Sequence, residues 1–357
     1  MNSWGNMLRI SLFGESHGKA VGGVLDGLRA GIELDFAQIE QDLGRRRPRT
    51  AAYSTQRREN DEYELISGVT NGITNGAPLT VMFKNKDVKR DDYKPQIARP
   101  SHADFAAYIK HNGFCDLSGG GHFSARLTAP LVFFGAIART ELRKQGIEVF
   151  SHIKSIGDVE DDSFNPVSPQ KNDFELDFPL IDKSKRKAME ELLSEVKSEG
   201  DSIGGVVECA VTGAPAGLGE PFFDSVESCL AHLLFSIPAV KGVEFGAGFA
   251  LAKMRGSIAN DRFTENPTNK YGVSTHTNNA GGITGGLTNA MPIIFRAAFK
   301  PIPSIAKQQS GIDLQAMKPV SAKAEGRHDV CAALRGAVIV EAVACICIYD
   351  FILREKQ

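Results

Sequence analysis

Strand-like and helix-like segments follow one another along this chain without a regular β–α–β alternation. No other feature constrains the fold as much. A doubly wound parallel sheet needs that alternation, and an irregular mixture favours α+β layers. Strands are expected at Leu8–Phe13, Val21–Leu28, Glu64–Val69, Leu79–Phe83, Ile147–Ile156, Gly205–Thr212, Val243–Leu251 and Ile293–Phe299. A helix is expected at Phe36–Leu43, with Asp35 as N-cap and Gly44 as its stop. Further helices are expected at His102–His111, Ser124–Gln145, Ser184–Ser198, Ser225–Phe235 and the apolar Asp329–Leu353. Arg45–Arg58 reads as a basic loop and Lys84–Pro100 as irregular. The acidic stretch Gly157–Leu180 reads as an exposed excursion within a single domain spanning residues 1–357.

A 42% hydrophobic and 24% charged composition is that of a globular protein. The net charge of −2 and pI of about 6.5 argue against a dedicated nucleic-acid partner. Charge is uneven, however: Gly44–Arg58 holds six arginines and no acid. The six cysteines form no CxxC pair and are expected to be buried free thiols in a reducing compartment, with no metal framework. There is no signal-peptide pattern and no uninterrupted apolar run of 18 residues. The expectation is a cytoplasmic protein with no membrane partner.

Chemistry concentrates in a few turns. Gly14-Glu15-Ser16-His17-Gly18 and Arg99-Pro100-Ser101-His102-Ala103-Asp104 each set a histidine in a tight polar turn. Histidine's unperturbed pKa lies nearest neutrality, so both are candidates for proton transfer. Ser118-Gly119-Gly120-Gly121-His122-Phe123-Ser124-Ala125-Arg126 is a glycine-rich loop running into a helix, a shape that presents backbone N–H groups to a phosphate. Arg45-Arg46-Arg47-Pro48-Arg49 has the planar cations that suit carboxylate and phosphate.

In this order, and with Gly326-Arg327-His328-Asp329-Val330-Cys331, Pro215–Pro221, Val240–Glu244 and Asn279–Gly282, these segments resemble chorismate synthase. The resemblance covers nearly the whole chain. It implies a layered sandwich with helices between two antiparallel sheets, and a homotetramer. It also implies a reaction, the removal of phosphate and a hydrogen from 5-enolpyruvylshikimate 3-phosphate to give chorismate. That reaction requires reduced FMN without net oxidation. NADPH, or a separate flavin reductase, would supply the reduced flavin.

By the same resemblance His17 is the general acid for the leaving phosphate, and His102 stabilises charge on the reduced cofactor. Ser16 and Ser124 are hydroxyls near flavin and substrate. Asp329 takes a proton from reduced flavin, and an N-cap role for the last helix fits its position equally well. His122, Phe123, Ser124, Pro238, Ala239, Gly285, the loop Lys300-Pro301-Ile302-Pro303-Ser304 and Arg327 match cofactor contacts. Arg46, Arg49 and Arg126 match binders of substrate or nucleotide anions.

The chain departs from the common family pattern at His122, Phe123 and Leu127, at Ser101 in place of glycine, and at Ala52 in place of an arginine. His122 could supply the missing flavin-side cation only when protonated, so flavin affinity is expected to fall above neutral pH. Ala52 leans toward an outside source of reduced flavin. A non-catalytic flavin-binding protein on the same scaffold is the alternative. A phosphoryl-transfer enzyme lacks its G-x-x-x-x-G-K-[ST] signature here.

Overall fold

The computed structural model describes residues 2–48, 59–87, 96–171, 174–323 and 328–355. Two five-stranded antiparallel sheets enclose helices. The first runs Ser3–Trp4, Arg9–Gly14, Ala20–Asp26, Leu79–Lys84, Tyr63–Ser67. The second runs Val159–Glu160, Glu148–Ile156, Gly205–Thr212, Ile293–Phe299, Val240–Phe245. Between them the Thr128–Arg143 helix packs on the Ala20–Asp26 and Leu79–Lys84 strands, and the Ala333–Arg354 helix packs on Glu148–Ile156 and Gly205–Thr212. The expected layered α+β sandwich is the observed one.

The two central helices touch along their length. Their crossing depends on Gly135: a Cβ there would sit 2.4 Å from Ala342 Cβ, closer than any real contact allows. The Ala333–Arg354 helix is long and apolar enough to cross a membrane, yet its apolar window is entirely buried inside the protein. It is the core helix. Its two acids are both used. Asp350 accepts from the backbone N–H of Met7 and Leu8 at 2.8 and 2.7 Å, tying down the chain's N-terminal strands. Glu341 accepts from Arg45 at 2.6 and 2.7 Å, from Arg139 at 2.7 Å and from Ser151 Oγ at 2.7 Å. Arg139 also donates to Asp42 at 2.9 Å. Three helices and a strand therefore meet at one buried ionic cluster.

That cluster explains where the Phe36 helix ends. Asp35 caps it as expected, accepting from Gln38 N at 2.9 Å, but Gly44 does not stop it. The helix runs Phe36–Arg46, because the last turn places Arg45 on Glu341 and Arg46 on Asp61. The expectation of a basic loop from Arg45 is corrected for these two residues.

Other boundaries also shift. Ser124–Gln145 opens as a 3-10 turn at Ala125–Leu127, capped by Ser124, before the Thr128–Arg143 helix. The strand expected to reach Leu251 ends at Phe245, and Gly248–Lys253 is a 3-10 helix. The last helix begins at Ala333 with Ala332 as its cap, so Asp329 lies ahead of it and is no N-cap. The acidic 157–180 segment is exposed only in part. Phe164, Phe178 and Leu180 are buried, and Asp161 accepts from Ile181 N, Asp182 N and His152 Nδ1 at 2.7, 2.9 and 2.9 Å. All six cysteines are free, and five are buried.

Burial pushes the Glu341 carboxyl up, but Arg45 and Arg139 outweigh it and bring the pKa to about 2 from 4.5. A depressed folded-state pKa means the stabilisation is complete above about 4.5 and drains away as pH falls toward about 2. Glu341→Gln is expected to destabilise the fold by about 3–5 kcal/mol, because two buried guanidinium groups lose their counter-charge. Denaturant melts at pH 7 check the cost. Repeating them at pH 3 should shrink the difference between variant and parent.

Candidate active site

One cavity of about 410 Å³ collects most of the candidate residues from seven separate stretches of the chain, arranged as four walls. That size is ordinary for a small-molecule site. The first wall is the turn after the Arg9–Gly14 strand. Ser16 Oγ lies 3.0 Å from His17 Nδ1, and both side chains are buried. The glycine-rich loop is stitched onto this turn, with Ser16 N donating to Gly121 O at 3.0 Å and Gly120 N to Ser16 Oγ at 3.4 Å. Gly119 has φ of +67°, and a Cβ there would lie 2.2 Å from His17 Cε1. Only glycine lets the loop pass the histidine so closely.

The second wall is the Arg99–Asp104 turn. His102 Nδ1 meets Asp104 Oδ1 at 2.6 Å, and Arg99 holds the same carboxylate through Nε at 2.7 Å and Nη2 at 2.9 Å. Arg99 Nη2 also donates to Gly119 O, which joins the first two walls. Burial raises the Asp104 pKa, yet hydrogen bonds from His102 and Arg99 hold it well below the usual carboxylate range. With Nδ1 committed to an anion, proton exchange with a ligand falls to His102 Nε2. Ser101, where the family commonly has glycine, adopts φ of +54°, the left-handed conformation that favours glycine. Its carbonyl accepts from Lys300 Nζ at 2.7 Å. Lys300, Ile302, Pro303 and Ser304 line the cavity beside it, as do Pro238 and Ala239.

The third wall is cationic. Arg46 and Arg126 converge on Asp61, with Arg46 Nη2 at 2.7 Å from both carboxylate oxygens. The fourth wall comes from the segment before the last helix. Asp329 accepts from Arg335 Nη1 at 2.7 Å, and Arg335 Nε donates to Arg46 O at 2.6 Å. His328 also lines the cavity. Its Nε2 is buried without a hydrogen-bond partner among the described residues. Burial and the nearby Arg99 cation lower the His328 pKa from 6.5 to about 4.

The structure thus brings together Ser16, His17, Arg46, His102, Phe123, Ser124, Arg126, Pro238, Ala239, Lys300, Ile302, Pro303, Ser304 and Asp329. It does not bring His122, Pro301 or Gly285 to the cavity wall. His122 is engaged elsewhere, with Nε2 2.8 Å from Asn2 Oδ1 and Nδ1 3.3 Å from Gly14 O. Both ring nitrogens of His122 thus have protein partners among the described residues. Gly285 sits in the turn between the Ile283–Thr284 and Leu287–Thr288 strands. Arg49, Ala52 and Arg327 lie outside the described residues. Asp61, Glu59 and Arg335 join the site without having been expected there, and so do the roles of Arg99 and Asp104. The last two stood inside a quoted motif. Asp61 and Glu59 were signalled only by acids immediately following a basic run.

Two outcomes are expected. Gly119→Ala should displace the His17 ring and cost about 1–2 kcal/mol from the left-handed backbone alone; a crystal structure and a denaturant melt of the variant check both. His328 should remain neutral from pH 5 to 8, because its folded pKa lies below that window, and an NMR titration of its ring nitrogens should be flat there.

The comparisons with known proteins agree with this geometry. The family model described as chorismate synthase matches residues 8–353. A chorismate synthase of Dehalococcoides mccartyi is 41% identical over 355 residues, covering 99% of this chain and 97% of the relative. One from Thermococcus kodakarensis is 42% identical over 362 residues, with 99% and 98% covered. A crystal structure of chorismate synthase superposes with a TM-score of 0.76 at 30% identity, covering 99% of this chain and 93% of the other. The chain belongs to the chorismate synthase family, lyases of the shikimate pathway that act on a small-molecule substrate in aromatic amino-acid biosynthesis.

Proposed function

We propose that this chain converts 5-enolpyruvylshikimate 3-phosphate to chorismate and phosphate by a 1,4-elimination, with reduced FMN bound in the same cavity and no net redox change. The observation that carries the reading is the meeting of His17, the His102–Asp104 pair, Asp329 and the Arg46–Arg126 cations around one cavity.

The residues present suit both ligands. Phe123, Ser124, Pro238, Ala239 and the Lys300–Ser304 loop would hold FMN, with Arg327 in addition. The buried Nε2 of His328, which no described residue satisfies, fits a cavity that gains a polar partner on ligand binding. Reduced FMN, when bound, supplies electron density to the cleaving bond without net oxidation.

The chain's own groups do the rest. Arg46 and Arg126 bind substrate anions through charge-assisted bonds. His17, its ring oriented by Ser16 at 3.0 Å, protonates the departing phosphate as the carbon–oxygen bond breaks. Loss of the ring hydrogen completes the new double bond. Asp329, held by Arg335 at 2.7 Å, accepts a proton at its carboxylate, and the Ser124 hydroxyl relays one. Asp104, bonded to His102 Nδ1 at 2.6 Å, keeps the His102 ring oriented beside the cofactor.

A cytoplasmic homotetramer belongs to the same proposal. Phe222, Phe223, Phe249 and Phe263 are each more than 80% exposed, an apolar surface that supports self-association. NADPH or a separate flavin reductase would supply the reducing equivalents.

An anaerobic assay with 5-enolpyruvylshikimate 3-phosphate and chemically reduced FMN tests the reading by following phosphate and chorismate. Turnover is expected, with kcat lowered about 10²–10⁴-fold in His17→Ala and in Asp329→Ala. Asp104→Asn should lower kcat by about tenfold, because His102 loses the carboxylate that orients its ring. FMN binding with no turnover in the parent protein would overturn the catalytic reading and leave a flavin-binding protein on this scaffold.

A further inference from the structure

We propose that Asp61 is the positioning residue of the anion-binding wall, a single buried carboxylate that fixes the guanidinium groups of both Arg46 and Arg126. The proposal deepens the reading of the cavity given above and rests on it.

The geometry is specific. Asp61 Oδ1 and Oδ2 each accept from Arg46 Nη2 at 2.7 Å, and Oδ2 accepts from Arg46 Nε at 3.1 Å. Arg126 Nη1 donates to Oδ1. The Asp61 side chain is fully buried, and those of Arg46 and Arg126 are only 3% and 5% exposed. Asp61 itself holds φ of +50°, a conformation outside glycine best tolerated by Asn and Asp. The bonds to the two arginines offset the cost of that backbone conformation.

Charge explains why one carboxylate is placed there. Two adjacent buried guanidinium groups repel each other and lose their hydration. Burial, helped by the neighbouring Arg335 and Arg126 cations, brings Arg46 down to about 10 from 12.5, against the opposing pull of Asp61. Asp61 cancels one of the two positive charges and leaves the other for a ligand. It also fixes direction: the bonds from Arg46 use Nε and Nη2, so Nη1 is not committed to Asp61. Arg126 is held at its other side by Asn85 Oδ1, which accepts from Nε at 3.1 Å. Glu59 adds a weaker contact, with Oε2 3.9 Å from Arg126 Nη2. Both cations are thus set in place before a phosphate or carboxylate arrives, which lowers the ordering cost of binding.

This positioning extends toward the proton acceptor. The Arg46 carbonyl accepts from Arg335 Nε at 2.6 Å, and Arg335 Nη1 holds Asp329 at 2.7 Å. Asp61, Arg46, Arg335 and Asp329 form one continuous chain from the anion wall to the carboxylate at the opposite wall.

Asp61→Asn tests the role, since Asn accepts the same backbone conformation but removes the charge. Four quantities are read: KM and kcat for 5-enolpyruvylshikimate 3-phosphate, the dissociation constant of inorganic phosphate, and that of oxidised FMN. KM and the phosphate constant should each rise about tenfold or more, with kcat and FMN affinity changed less than about threefold. In an Arg126→Gln background the same change should have a much smaller effect, because the two act as a unit. A folded Asp61→Asn protein with parental KM and phosphate affinity overturns the proposal. So does an equal loss of FMN affinity, which marks a general structural role. If Asp61→Asn does not fold, Asp61→Glu carries the test: the charge stays but shifts by one methylene, and an unchanged KM overturns the proposal. Should the parent protein show no turnover, the proposed reaction fails, and phosphate affinity still reads the role of Asp61 separately.

Discussion

Glu341 is the interaction on which the rest of this structure depends. It lies in the middle of the most apolar helix of the chain, where an unpaired carboxylate would be intolerable. Arg45, Arg139 and Ser151 reach it from two other helices and a strand, and Asp42 balances the arginines. A buried network of this kind adds little net stability over an apolar core of the same shape. Its consequence is positional: it ties three helices and a strand to one point in the core. The same arrangement puts Gly135 against Ala342 and draws the Phe36 helix past its glycine to Arg46.

The active cavity follows from that placement. Its walls are mostly the segments between sheets and helices (the turn at His17, the turn at His102, the loop after Phe299 and the approach to the last helix), with Arg46, Thr128, Arg335 and Ile339 added from three helices. Such segments are held by few apolar contacts, and here polar bonds fasten them to one another. Arg99 alone joins Asp104, His102 and the glycine-rich loop. Arg46 carries this further. The turn of helix that sets Arg45 on Glu341 sets the next residue on Asp61, so core and cavity share one helix end.

Charge inside the cavity is largely balanced before any ligand enters. Asp61 stands between Arg46 and Arg126, Asp104 between Arg99 and His102, and Asp329 beside Arg335. Sharing one carboxylate between two neighbouring cations lets an anion-binding site be assembled from buried arginines with less mutual repulsion and positive charge to spare. It also aims each donor, and a pre-aimed donor is worth more in a desolvated site than a mobile one.

The layered α+β class, most strands, the two histidine turns and the glycine-rich loop were legible in the sequence, because they depend on local period and turn chemistry. Ile293–Phe299 and Gly205–Thr212 appear with the bounds expected. Boundaries failed where a distant partner overrode a local signal, as at Gly44, or where a glycine with positive φ ended a strand early, as at Gly246. The site residues that went unnoticed, Asp61 and Arg335, carry no motif; each matters through partners that the fold, not the sequence, brings to it. His122 shows the converse, a residue placed by motif beside the cavity and turned by Asn2 and Gly14 to another task. The sequence by itself determined which residue types and local turns this protein brings to its chemistry. The tertiary structure alone decided which charges face one another, because burial and long-range pairing set the energy of a charge, and neither is a property of neighbouring residues in the chain.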